Sequence, residues 1–184
     1  MSQAEIGGSW RLANQTDAPF LYDLITMVDP RWWRFSRSGL DPRVVLQLID
    51  TVSAAVVVLD GLDRPVACAV LADSGASGTA TFEYFALPTA AAQAVAAHFA
   101  GQIIAAAFAG TSIRRLYHER FESDPQLLGD TTPLWELEVT YPEFALIEGR
   151  HQARTISVLT RARFEQWTAQ LFAEPALADA EGAR

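Results

Sequence analysis

The sequence predicts a single α/β domain, with a mixed, mostly antiparallel sheet flanked by helices and a β-hairpin near its end. Three observations carry this. Three apolar runs, AAVVVLD (54–60), VACAVLAD (66–73) and TATFEYFAL (79–87), are joined only by the turns GLDRP (61–65) and SGASG (74–78). Such short links make consecutive strands antiparallel neighbours. A strand (79–87), a long helix (89–109) and another strand (113–121) then follow directly. A crossover of that kind brings the two strands together in parallel. Finally, LWELEVTYPEFALI (134–147) alternates apolar and acidic residues, turns at EG (148–149) and returns as HQARTISVLTR (151–161).

Taken in order, SWRLAN (9–14) alternates as a first strand after a tail at 1–8. TDAPFLYDLITMV (16–28) is a helix, with Thr16 or Asp17 as its cap and Pro19 in its first turn. Its apolar face is Phe20, Leu24 and Met27 or Val28. DPRWWRFSRSGLDP (29–42) is an irregular aromatic and basic loop, and 42–52 is a second helix with Asp41 as cap and Pro42 at its first position. In the helix at 89–109, Val95, Phe99 and Ile103 share one face, and Gly110 stops it. SDPQLLGD (123–130) has the marks of a short helix: Asp124 as cap, Pro125 next and Gly129 as stop. Pro142 marks a bulge or an edge in the strand at 134–147. The last helix is 163–172, which closes a domain of residues 9–172 and leaves 173–184 as a tail.

Bulk properties narrow the function. The 184 residues suit one domain, and with half of them hydrophobic a sizeable core is available. Net charge is −8 and the sequence pI about 4.8, which argues against a nucleic-acid partner. All 14 basic residues are arginine, as GC-rich codon usage produces. The only cysteine, Cys68, lies in an apolar strand and reads as core. His98, His118 and His151 are scattered, so no metal site is expected, and His118 reads as an exposed or core-edge residue. MSQAEIGGSW lacks the marks of a signal peptide, and the apolar stretch 94–110 is too weak and short for a membrane span. A soluble, cytoplasmic protein is expected.

The order of elements resembles that of the GNAT superfamily of acyl-CoA-dependent N-acyltransferases. RLANQTDAPFLYDLI resembles the opening common there, and EYFALPTAAAQA stands where the family has its fourth strand and cofactor loop. IRRLYHERFESDPQ resembles the fifth strand and a capped helix, and EGRHQARTISVLTRARFEQW the terminal hairpin. The likeness covers about residues 10–167 and is closest to the branch of ribosomal-protein N-terminal acetyltransferases and their bacterial relatives. It implies acetyl-CoA or another acyl-CoA as co-substrate and a small amine or a peptide N-terminus as acceptor. It implies cofactor contacts at Phe85, Ala86, Leu87, Thr89, Ala92, Gln93, Ala94 and Asp124. The sequence departs from the family in that loop. Where the family has Q/R-x-x-G-x-G/A, Thr89-Ala90-Ala91-Ala92-Gln93-Ala94 keeps only the final small residue. The cation is missing, Ala92 adds a methyl group where a diphosphate would lie, and Asp124 replaces a frequent asparagine. A helix N-terminus still offers unpaired N–H groups. Two readings stay open: an acyltransferase with a degenerate loop, or a GNAT-fold binding or assembly protein that has lost acyl-CoA.

N-acyl transfer needs a base for the amine, a backbone N–H to polarise the thioester and an acid for the leaving thiolate. Glu83 and Glu119, on the fourth and fifth strands, are the candidate bases; each is equally able to pair with an arginine such as Arg114, Arg115 or Arg120. Alternation places Glu83 with Phe85 and Leu87, so it is buried if they are. Tyr141 and Tyr117 are the candidate acids. Trp32, Trp33 and Phe35 suit an apolar acceptor, a protein partner or a second copy, or a lid packed on the domain. The acidic residues of WELEVTYPE (135–143) suit an amine or a solvated face.

Overall fold

The computed structural model describes residues 6–27, 52–73, 77–147 and 149–181. Trp32, Trp33, Phe35 and nearly all of the predicted helix at 42–52 lie outside the described residues. Seven strands form one sheet: β1 (Gly8–Leu12), β2 (Ala54–Asp60), β3 (Pro65–Asp73), β4 (Thr79–Ala86), β5 (Arg115–Phe121), β6 (Glu136–Ile147) and β7 (Arg150–Thr160). Their order is β1-β2-β3-β4-β5-β7-β6. All pairings are antiparallel except β4 with β5, the pair joined by the long crossover helix. The single mixed α/β domain is the one the sequence predicts.

Both faces of the sheet are covered. On one, helix α2 (Ala90–Ala109) lays Ala92, Ala96, Phe99, Ala100, Ile103, Ile104 and Phe108 against Val58, Ala69, Phe82 and Tyr84. Small residues let the helix approach closely, and the larger ones fill the gaps between strands. By length and composition α2 could cross a membrane, contrary to the expectation of too weak a stretch. Its apolar character is accounted for by this packing. On the other face, helix α1 (Ala18–Met27) buries Leu21, Leu24 and Ile25 against Val57, Cys68, Val70 and Phe85. The expected face was different: Phe20 is only partly buried and Met27 is exposed. The cap also differs. Asn14 accepts from the Thr16 N–H at 2.8 Å, and Asp17 returns a bond to the Asn14 N–H at 2.9 Å, a reciprocal cap one turn ahead of α1.

The largest departure follows β5. No α-helix forms at 123–130. The Asp124 carboxylate accepts the Phe121 N–H at 2.7 Å and closes a turn, and a 3-10 segment comes later, at Gly129–Leu134. Gly129 begins that segment at φ +52°, where a Cβ would stand 2.2 Å from the Ala97 carbonyl oxygen. Leu127, Leu128 and Leu134 are buried against the α2 core. Packing on α2 overrides the local helix signals. Pro142 does mark a bulge: the β6–β7 register slips between Tyr141 and Ala145 on an edge strand, with Glu143 at φ +50°. Helix α3 (Arg161–Glu181) runs beyond the predicted end at 172, through an alanine-rich stretch that also carries Pro175.

Candidate active site

The site is a gap in the sheet. β4 and β5 pair only from Thr79 to Thr81 and from Arg115 to Tyr117, yet β4 continues to Ala86 and β5 to Phe121. Leu87 donates its N–H to Val66 of β3, and Gly78 accepts from Arg114 on the β5 side. Main-chain groups alternate sides along a strand, so Phe82, Tyr84 and Ala86 direct theirs toward β5. Phe82 has a partner there: His118 Nδ1 lies 3.0 Å from its carbonyl oxygen and donates to it. Beyond it, the groups of Tyr84 and Ala86 face a stretch with no paired strand among the described residues.

Glu83 is buried, as the alternation predicts, with Phe85 buried and Leu87 partly buried on its side of the strand. It lies opposite Val70 of β3 and two residues past the last β4–β5 pair, Thr81 with Tyr117. Its charge reaches Cys68, whose thiol is pushed up to about 12 by burial first and then by the charges of Glu83 and Asp17. Cys68 is therefore an inert core residue. Glu119 shares the Glu83 face but is engaged by Arg154 of β7, not by the neighbouring arginines the sequence suggests. That guanidinium also lies over the Phe144 ring, 4.8 Å from its centroid. Tyr117 stands beside Thr81 at the apex of the gap. Tyr141 does not: it sits on β6, two strands from β5, exposed and 6.0 Å from the Phe144 ring. Of the acidic residues on β6, Glu136 pairs with Arg163, while Glu138 and Glu143 are exposed.

Just past the open end of β4, α2 begins. Thr89 is its cap and accepts the Ala92 N–H on its hydroxyl at 3.2 Å; its carbonyl takes the Gln93 N–H at 3.0 Å. Among the described residues, the N–H groups of the exposed Ala90 and Ala91 are the first-turn donors with no partner. Ala92 is buried in the α2 core cluster, so its methyl group does not obstruct an anion as expected. Ala94 is exposed and Gln93 partly buried on the same turn. Asp124 lies at the matching end of β5 with its carboxylate on the Phe121 N–H, closing a turn instead of capping a helix.

Two residues at the gap were missed by sequence reasoning. His118 is partly buried at the edge of the core, with its imidazole held below its ordinary pKa by burial, against a smaller upward pull from its bond to Phe82. Trp135 stacks on Phe82 at 6.2 Å, lies 5.6 Å from the His118 ring, and keeps its indole N–H buried with no hydrogen-bond partner among the described residues. Alternation along β5 could have placed His118 with buried Leu116, but nothing local ties Trp135 to either.

No family model matches the chain, and no curated protein matches it. Solved structures do. The spermidine/spermine N-acetyltransferase SpeG from Vibrio cholerae, in mutant form, aligns with a TM-score of 0.72 at 15% identity, over 88% of this chain and 98% of its own. A second SpeG mutant gives 0.70, also at 15%, over 85% and 95%. A candidate phosphinothricin N-acetyltransferase gives 0.64 at 14%, over 84% and 98%. The fold is that of the GNAT acetyltransferases.

Proposed function

We propose that the protein is an acyl-CoA-dependent N-acyltransferase that moves an acetyl or related acyl group to a small amine or a peptide N-terminus. The observation that carries this reading is the buried carboxylate of Glu83 beside an unpaired stretch of β4 backbone. In this reading the acyl-pantetheine arm enters the gap and takes up the Tyr84 and Ala86 main-chain groups as a missing strand would. Glu83 accepts the proton of the amine, directly or through water, and the amine nitrogen attacks the thioester carbonyl. The oxyanion that forms is held by a main-chain N–H of β4. Collapse expels the thiolate, which takes a proton from Tyr117, the tyrosine nearest the apex, in place of Tyr141. The free N–H groups of Ala90 and Ala91 meet the diphosphate of the co-substrate without help from a cation. An amine acceptor is consistent with the spermidine acetylation named for the SpeG structures and with exposed Glu138 and Glu143.

A non-catalytic role is the second reading. It is favoured by the α2 N-terminus, where Thr89 has already taken the Ala92 donor and no basic residue occupies the first turn. Calorimetric titration with acetyl-CoA separates the two. Saturable binding at micromolar to submillimolar concentration, followed by acetylation of a panel of amines and peptides, supports the enzyme. No binding at millimolar acetyl-CoA leaves the fold as a scaffold.

A further inference from the structure

At the other end of the β4–β5 pair the charges are reversed. Ser77, Gly78, Thr79, Arg114, Arg115 and the start of α3 at Thr160–Ala162 line a cleft of about 580 Å³. It lies at the closed end of β4, roughly 7 Å along the strand from the apex of the gap at Thr81 and roughly 23 Å from the open end of β4 at Ala86. The backbone there is tightly fixed. Gly78 accepts the Arg114 N–H at 2.7 Å, and Arg114 accepts the Arg161 N–H at 2.9 Å. Arg161 also donates Nε to the Ile113 carbonyl at 2.9 Å and Nη2 to the Thr111 carbonyl at 2.7 Å, and lies over the Phe108 ring.

Arg114 and Arg115, like Arg120 and Arg150, stand apart from the arginines held in ion pairs. Arg11, Arg64, Arg154 and Arg163 each have a carboxylate partner. Among the described residues, Arg114 and Arg115 have neither an ion pair nor a hydrogen bond to their guanidinium groups. The seat for one of them is built: Gly78 adopts φ +66°, and a Cβ there would stand 3.0 Å from Arg114 Nε. Three arginines thus line one cleft, on a chain whose net charge is −8. One carboxylate, Glu165, stands on the α3 side of the cleft.

We infer that this cleft binds a small phosphorylated ligand through Arg114 and Arg115, at a site separate from the acyl-transfer gap. Guanidinium forks match phosphate oxygens two at a time, and the α3 N-terminus adds favourable dipole. The volume exceeds what one phosphate fills and leaves room for an organic body. Net negative charge opposes a long polyanion, so a nucleic acid is not the occupant. Glu165 disfavours a second anionic group on the α3 side.

Calorimetry with inorganic pyrophosphate and with ATP tests this on the full chain. Wild type should bind pyrophosphate saturably, and the Arg114→Ala/Arg115→Ala double variant at least about tenfold more weakly, as loss of charge-assisted bonds implies. Both arginines are exposed, so the melting temperature of the unliganded double variant should hold. Glu165→Gln should tighten pyrophosphate. Tighter binding of ATP than of pyrophosphate would place a nucleoside in the remaining volume; equal binding would identify the phosphate alone as the recognised part. Acetyl-CoA at saturation should not displace pyrophosphate, which separates this site from the α2 N-terminus whether or not the enzyme reading holds. Absence of binding at 10 mM pyrophosphate, equal binding by the double variant, or full displacement by acetyl-CoA would overturn the inference.

Discussion

The two ends of the β4–β5 pair make opposite use of similar parts. Each lies beside the start of a helix capped by a threonine, Thr89 for α2 and Thr160 for α3. At the open end the strands part, the helix begins with alanines and the nearest buried side chain with a charge is Glu83. At the closed end the strands pair through Gly78, and the helix start is flanked by Arg114, Arg115 and Arg161. Donors alone therefore do not define an anion site in this molecule. The cations expected at the open end by resemblance are found at the closed one. The proposed proton transfer falls at the open end and the inferred charge recognition at the closed end.

The change with the largest expected effect separates chemistry from binding at the open end. Glu83→Gln keeps the shape of the side chain and removes the base. Turnover should fall by about two to four decades, while acetyl-CoA affinity should barely move, because β4 meets the co-substrate through its main chain. Steady-state rates with calorimetric acetyl-CoA affinities check both. Near wild-type turnover would move the role to the amine's own ionisation or to Glu119, which would first have to leave Arg154.

Next in size is an attempt to make the open end resemble the closed one. Ala91 is exposed on the first turn of α2, so Ala91→Arg should raise acetyl-CoA affinity about tenfold by supplying the missing charged hydrogen bond. Ala92→Gly should not help. Ala92 is buried and its methyl group faces the core, so glycine there should cost about 1 kcal/mol in chemical denaturation and leave affinity unchanged. Equal gains from the two substitutions would mean that the helix start moves when acetyl-CoA binds.

A similar cost is expected at the closed end. Gly78→Ala puts a side chain at φ +66° and crowds the Arg114 guanidinium, which is free to swing away. Stability should fall by about 1 kcal/mol. Pyrophosphate should bind more weakly, because the seat of Arg114 is lost. An unchanged pyrophosphate affinity would assign recognition to Arg115 alone.

How much of this contrast was legible in the sequence depends on the range of the forces involved. The meander, the crossover and the hairpin follow from turn residues and alternation, and all three stand in the structure. Burial of Glu83 followed from its place on the same strand face as Phe85 and Leu87. The face of α1 was legible only in part: Leu24 was expected, while apolar residues line both sides of that helix and only the position of the sheet adds Leu21 and Ile25. The helix at 123–130 failed for a similar reason: its cap and stop signals are local, while Gly129 and Leu127 answer to α2. The pairing of Glu119 with Arg154 joins β5 to β7, a contact that neither strand's own sequence announces. Arg114 and Arg115 were visible only as possible partners for the candidate bases. Their common cleft depends on Gly78 and Thr160, which lie far apart in the chain.

The smallest expected effect lies at the boundary between the two ends, where His118 holds the Phe82 carbonyl at 3.0 Å. Burial keeps the folded imidazole below its ordinary pKa, with a lesser contribution in the same direction from the charge of Arg120 and an opposing one from the bond to Phe82. As pH falls, the unfolded chain takes up this proton first. The His118 contribution to stability is thus fully present above the unfolded value of about 6.5 and is lost as pH falls from there toward the folded value. His118→Gln retains a donor for Phe82 but cannot titrate. Denaturation curves measured from pH 7.5 to pH 5 should therefore lose part of their acid slope in the variant, while His98 and His151, present in both proteins, cancel in the difference. If the clasp also sets where the strands part, the variant should keep wild-type acetyl-CoA affinity, because its amide can span the same distance. His118→Ala should not, since the Phe82 carbonyl then faces the gap with no donor. Identical acid slopes in wild type and His118→Gln would show that the imidazole reaches water in the folded protein. The boundary between the open and closed ends would then be set by the strands themselves.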